Sequence, residues 1–168
     1  GEHQDADDRS LIESIAAASA RRSLRPVYDA RTLGWVLNEA GLSRRHGALR
    51  RRIVKNGEGG ILGSYMFFSN PGGVSTVIQV CAREKAMKDI LAHLFADARR
   101  EGAVAVTGQL DPGFAMAFSD SRCGMRCTGL GVLVHSRKRE IMDAIHRGDA
   151  FLSRTEGEWL TRFHEPWP

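Results

Sequence analysis

Residues 74–107 read VSTVIQVCAREKAMKDILAHLFADARREGAVAVT, and the fold turns on this stretch. Val74, Val77, Ile78, Val80 and Cys81 form a β-branched, apolar run too short for a helix of its own. Beyond Ala82 the period changes. Met87, Ile90, Leu91, Leu94, Phe95 and Ala98 recur at spacings of three and four, the apolar stripe of a helix lying on a sheet. Gly102 closes that helix where a left-handed residue is wanted, and Arg99 and Arg100 complement the negative end of its dipole. Ala103 to Thr107 is apolar again, which predicts a strand covered on both faces. The unit is strand–helix–strand, and its turn lies at a helix N-terminus, where unpaired N–H groups and the macrodipole favour an anion.

Upstream, residues 1–8 are acidic and read as a disordered tail, leaving residues 9–168 as a single domain. Ser10 to Ala20 reads as a helix with Leu11, Ile12, Ile15 and Ala16 on one face. A second helix starts at an Asp29 cap, turns Leu33, Val36, Leu37 and Ala40 inward, stops at Gly41, and carries Trp35 into the core. Leu49–Asn56 and Ile61–Ser69 read as strands joined by the Asn56–Gly60 turn. Asn70–Gly73 is a second turn leading into Val74, so three antiparallel strands run into the strand–helix–strand unit. Downstream come a Gly108–Gly113 loop, a short helix over Phe114–Asp120, a buried strand within Met125–His135, a helix over Glu140–His146 and an edge strand over Glu158–Phe163.

Composition narrows the function. The 168 residues suffice for a core without staples, and 42% hydrophobic with 26% charged residues is ordinary for a globular chain. No apolar run approaches about 18 residues, so no membrane span is expected. The polar, acidic first ten residues carry no signal peptide, which together with three cysteines predicts a cytoplasmic protein. Lacking an initiator Met, the chain reads as a fragment, with the C-terminal part of a longer protein as one source. Cys123 and Cys127 make a CxxxC without a second pair, so no metal site is predicted. A net charge of +4 permits an anionic ligand. Arg44, Arg45, His46, Arg50, Arg51 and Arg52 cluster around the first long strand. They would hold a phosphate, an acidic substrate or nucleic acid, or else guard a strand edge against aggregation, and the guarded edge is the simpler reading. No aromatics interleave with them to stack bases, so nucleic acid is not expected.

Two helices, three meandering strands, then strand–helix–strand–helix–strand is an order that resembles the GNAT acetyltransferases. Cys81 to Leu91 lies where that family carries its acyl-CoA pyrophosphate loop, Arg/Gln-x-x-Gly-x-Gly/Ala before an apolar helix. Arg83 matches the first position, Ala86 stands at the first glycine and Lys88 at the second. The tail from Arg147 to Trp159 also resembles the end of GNAT-like domains in larger bacterial proteins. The resemblance implies an α/β (α+β) fold: a mixed, mostly antiparallel sheet with a central β–α–β unit and helices on both faces. It implies an acyl-CoA-dependent N-acyltransferase, moving an acetyl group from acetyl-CoA to an amine on a small molecule or sugar precursor. Val80, Cys81, Ala82, Arg83, Lys85, Ala86, Met87 and Lys88 would bind the acyl-CoA, with a backbone N–H near Val80 or Cys81 polarising the thioester carbonyl. Lys85 and Lys88 would neutralise phosphate by charge where the glycines are missing.

The family's usual acid, a tyrosine on the helix after the second strand of the unit, has no counterpart here. Ser119, Asp120, Ser121 and Cys123 are the polar residues of that segment. The catalytic candidates are therefore Gln79 on the central strand, Ser119, and His135, which titrates near neutrality. Asp111 also follows a strand end, but Asp-Pro-Gly reads first as a turn. The rival reading is a non-catalytic GNAT-like interaction module that has lost CoA binding. It would serve a second domain or a homodimer partner through a sheet edge or through Trp159 and Trp167.

Overall fold

Successive β-branched runs broken by Asn/Gly turns fold into a five-stranded sheet whose strands stand in sequence order, β1-β2-β3-β4-β5. The strands are β1 (Glu2–Asp5), β2 (Ala48–Lys55), β3 (Ile61–Ser69), β4 (Val74–Ala82) and β5 (Ala105–Thr107). This computed structural model describes residues 2–42, 46–83, 85–125 and 134–156. The first four strands are antiparallel, and β5 joins β4 in parallel. At the first hairpin the Asn56 side chain accepts from the Glu58 and Gly60 amides at 3.1 and 2.7 Å, which closes the turn.

The crossover between β4 and β5 is helix α3 (Met87–Arg100). Its end is a Schellman motif: Ala103 N–H donates to Ala98 O and Gly102 N–H to Arg99 O, both at 3.0 Å, with Gly102 at φ 84°. Helices lie on both faces. Helices α1 (Asp8–Ser19) and α2 (Ala30–Leu42) bury Leu11, Ile15, Leu33 and Leu37 against Ile53, Met66, Phe68 and Ile78. On the opposite face α3 buries Ile90, Leu91, Leu94 and Ala98 against Val54, Tyr65, Phe67 and Val77, flanked by the short helix α4 (Ala115–Asp120). Helix α5 (Arg139–His146) precedes the last described segment.

Several expectations are corrected. Part of the acidic tail is ordered: Glu2–Asp5 pairs with β2, placing Asp5 opposite Arg52 and Glu2 opposite Lys55. The cause is charge complementarity, because an acidic strand meets a basic one. Strand β2 is consequently interior, and its arginines guard no edge. Arg50 pairs with Glu101 at 2.8 Å, Arg51 with Asp8 at 2.9 Å, and Arg52 with Asp5 and with Asp97. Trp35 is 55% exposed, since a helix advances about 100° per residue and Leu33, Val36, Leu37 and Ala40 already fill the inward face. Helix α2 also runs through Gly41 to Leu42. Strand β5 is not covered on both faces: Ala105 and Thr107 are exposed and only Val106 is half-buried. Val134 and His135 form no strand. Most of the Met125–His135 prediction, and all of Glu158–Phe163, Cys127, Trp159, Trp167, Arg44 and Arg45, lie outside the described residues.

Two features yield measurable consequences. Gly63 on β3 lets α3 approach the sheet, for a Cβ there would stand 2.3 Å from Cys81 O and 2.9 Å from Ile90 Cγ1. The carbonyl belongs to the backbone and cannot swing away, so Gly63→Ala should cost about 1–3 kcal/mol in urea unfolding. His3 of β1 stacks edge-on against His93 at 5.8 Å, beside Arg100, Arg52 and Asp97. Burial, joined by Arg100, His93 and Arg52 against the opposing pull of Asp97, holds its pKa below 6.5. The native state then binds fewer protons than the unfolded chain. This contribution to stability is complete above about pH 6.5 and is lost as pH falls through the lowered native value. Denaturant midpoints measured between pH 7.5 and 5 should show this slope reduced in His3→Gln.

Candidate functional site

Strand β4 carries a bulge at the centre of the molecule. Met66 faces Gln79 while Phe67 faces Val77, so Ile78 is the extra residue on β4. Pairing with β5 covers only Val74, Ser75 and Thr76, opposite Ala105, Val106 and Thr107. From the bulge to Ala82 the far edge of β4 has no β5 beside it.

The ladder tells which groups face that edge. Arg83 N–H donates to Leu62 O at 2.9 Å, and in this register Cys81 and Gln79 also direct their backbone groups to β3. Val80 and Ala82 therefore direct theirs to the open side. Ile78 O does so too, and there it accepts the Arg154 N–H at 3.0 Å. Of the two positions that the sequence left open for a carbonyl-polarising N–H, Val80 has the open orientation and Cys81 does not. The Cys81 thiol is buried, bonded to Ser64 Oγ at 3.0 Å, and pushed up in pKa by burial, which makes it a poor nucleophile.

The edge leads to the start of α3. Ala86 caps this helix without a side-chain hydrogen bond, so the first-turn N–H groups after it have no intrahelical acceptor. The Arg83 amide is spent on Leu62 O of β3 and the Ala86 amide on Arg83 O within the loop. Arg83, Lys85 and Lys88 are exposed, Ala82, Ala86 and Met87 are buried in the α3-side core, and Val80 is half-buried. Lys88 Nζ meets Asp120 of α4 at 3.1 Å with the two side chains 59% and 49% exposed. A pair that open is worth at most about 1 kcal/mol and yields readily to a stronger anion.

On the α1–α2 side of the same strand lies a buried polar network. Gln79, 3% exposed, donates through Nε2 to Thr155 Oγ1 at 2.8 Å and Ser153 Oγ at 3.1 Å, with Glu156 Oε1 at 3.4 Å. Tyr28 Oη donates to Glu156 Oε1 at 2.8 Å. Burial and the Glu156 charge push the Tyr28 phenol well above its ordinary pKa, so it remains a donor. Gln79 Oε1 is a buried acceptor with no donor among the described residues. The amide orientation is set chemically, because the carboxylate beside Nε2 can only accept.

The three catalytic candidates do not meet. Gln79 sits in this network; Ser119 is exposed on α4, which packs with α3 on the other face; His135 is exposed ahead of α5. No hydrogen bond joins them among the described residues. Asp111 is a turn residue, accepting from Gly113 N at 2.8 Å and paired with Arg22 at 3.0 Å. Tyr28 and Glu156 were missed as site residues because nothing local in the sequence ties them to Gln79. No described helix is long and apolar enough to cross a membrane, and no cluster of three or more His, Cys, Asp or Glu among the described residues is placed to hold a metal.

No protein-family model matches the chain, and no curated protein matches it. Solved structures do. An acetyltransferase from Trypanosoma brucei aligns at 17% identity and TM-score 0.53, over 80% of this chain and 99% of that one. Glucosamine-6-phosphate N-acetyltransferase from Arabidopsis thaliana aligns at 10% and 0.53, over 80% and 97%. A candidate acetyltransferase from Agrobacterium tumefaciens str. C58 aligns at 14% and 0.58, over 80% and 100%. The fold is GNAT-like. At such identities the likeness speaks to architecture alone.

The network makes its own prediction. Tyr28→Phe removes a hydrogen bond to a carboxylate without changing the ring. It should cost about 1.5–3 kcal/mol of unfolding free energy, whereas a solvent-facing phenol would cost nothing measurable.

Proposed function

We infer that this domain is an acyl-CoA-dependent N-acyltransferase, most simply an acetyltransferase. The observation that carries the reading is the β4 edge, which beyond the bulge has no paired strand among the described residues and runs from Val80 and Ala82 to an uncapped helix start flanked by Arg83, Lys85 and Lys88. A long ligand with an extended amide-bearing arm and a diphosphate suits such a track. Its amides would find backbone groups, and its phosphates would find helix N–H groups and lysines.

The residues fit the group. The Lys88–Asp120 pair is exposed and weak, and Ala86 adds only a methyl where the family has glycine. Arg83, Lys85 and the Met87–Lys88 backbone would hold the diphosphate, and the Val80 N–H would stabilise negative charge developing on the thioester oxygen. In the transfer, the amine nitrogen bonds to the acyl carbon, the carbon–sulfur bond breaks, and the thiolate leaves. Gln79 on that strand, with Glu156 of the segment that crosses it at 3.4 Å, would orient the amine and receive its proton. Ser119 and His135 are left without a place in this step.

Calorimetric titration of acetyl-CoA into the full chain should show saturable binding. Lys85→Glu combined with Lys88→Glu should weaken it at least tenfold, and raising the salt should weaken the wild type in the same direction. Absence of any binding to the folded wild type favours the interaction module. One contact points that way, the Arg154 N–H already seated on Ile78 O.

A further inference from the structure

Strand β1 is an edge of the sheet, and among the described residues its backbone pairs with β2 alone. Its inner end is fixed. Ala6 is buried in the α1–α2 core with its N–H on Arg51 O at 3.1 Å, and Asp7 caps α1 by accepting from Ser10 N at 2.7 Å. Outside Ala6 the strand has only 4 residues, and the register makes Gln4 and Ile53 a hydrogen-bonded pair. A short edge strand opens at a small fraction of the cost of global unfolding, so its side chains decide whether it stays.

The deciding side chain is His3. Arg100 Nη2 lies 2.6 Å from His3 Nε2, and a guanidinium can only donate, so Nε2 is the bare acceptor nitrogen of a neutral ring. The same helix brings His93 edge-on at 5.8 Å, and β2 brings Arg52 and Lys55 opposite β1. Asp97 of α3 is the anion beside the ring, 3.8 Å from Nε2. Its oxygens already accept from Arg52 Nε at 3.0 Å, Arg100 Nη2 at 3.1 Å and Tyr65 Oη at 3.3 Å. On β1 itself Asp5 is paired with Arg52. Burial, opposed by Asp97 and helped by Arg100, His93 and Arg52, keeps the ring neutral at pH 7. A proton on Nε2 breaks the Arg100 bond and turns an acceptor into a cation facing a cation. We propose that β1 is a pH-operated strap: protonation of His3 peels Glu2–Asp5 away as far as Ala6 and bares the β2 edge over Arg52–Lys55, while the rest of the sheet stays closed.

Amide exchange of the full chain, read by NMR as protection factors at pH 7.5 and 5.5, tests the strap. A single histidine that takes up its proton on release favours opening by at most about tenfold one pH unit below its ordinary value of about 6.5. Protection at Gln4 and Ile53 should accordingly fall by about three- to tenfold. At both pH values these two amides should exchange at least about a hundredfold faster than Cys81, which bonds in the β3–β4 ladder. Adding 1 M urea should speed Cys81 and leave Gln4 and Ile53 unchanged, because peeling a short strand exposes little surface. His3→Gln keeps an acceptor for Arg100 and cannot take the proton, so its fall at Gln4 and Ile53 should stay below about twofold. Exchange of Gln4 and Ile53 in step with Cys81 overturns the proposal, since β1 then opens only when the whole chain unfolds. So does wild-type protection that is the same at both pH values, or an undiminished fall in His3→Gln.

Discussion

The structure depends on one irregularity, the extra residue Ile78 in β4. Before it, β4 bonds to β3 on one side and to β5 on the other. After it, the β3 ladder resumes but β5 has already ended at Thr107, opposite Thr76. A bulge bends a strand and increases its local twist, which is what separating two parallel neighbours requires. Helix α3 then covers one face of the exposed length, with Gly63 allowing it to sit close, and presents its N-terminus beside the last open backbone groups. Bulge, short β5 and helix start together make a groove from pieces that would otherwise be an ordinary parallel crossover.

That groove is not bare at every point. The segment from Phe151 to Glu156 crosses the bulge, with Phe151 in the α1–α2 core and Arg154 bonded to Ile78. Backbone position on the strand separates the two uses: Ile78 O is taken by the chain itself, whereas Val80 and Ala82, nearer α3, make no backbone hydrogen bond outside the β3 ladder among the described residues. The polar side chains of this segment meanwhile surround Gln79 with hydroxyls and a carboxylate. The Glu156 carboxylate thus lies on the α1–α2 side of β4, while the exposed Arg83, Lys85 and Lys88 lie around the start of α3.

Much of the architecture was legible in the sequence because local signals carried it. The stripe from Met87 to Ala98, the Gly102 cap, the Asn56 and Asn70 turns and the Asp29 cap, whose side chain accepts from Thr32 N at 2.6 Å, each depend on residues a few positions apart. Long-range effects were hidden. The Gln79 bonds span 74 to 77 positions, and β1 forms because an acidic terminus meets a basic strand nearly fifty residues away. A bulge leaves no trace in a run such as Val77-Ile78-Gln79-Val80, where either register keeps apolar residues on both faces. Trp35 misled for a different reason: its hydrophobicity suggested burial, but helical geometry had already assigned the inward positions to other residues.

The central claim is that the β4 edge beyond the bulge receives an acyl-CoA. Amide hydrogen exchange, read residue by residue with and without saturating acetyl-CoA, tests it most directly. The account predicts fast exchange at Val80, Ala82, Met87 and Lys88 in the free chain and marked slowing at those amides on addition, with Cys81 slow throughout. Val80 and Ala82 amides that are already protected in the free chain and unchanged by acetyl-CoA would contradict it.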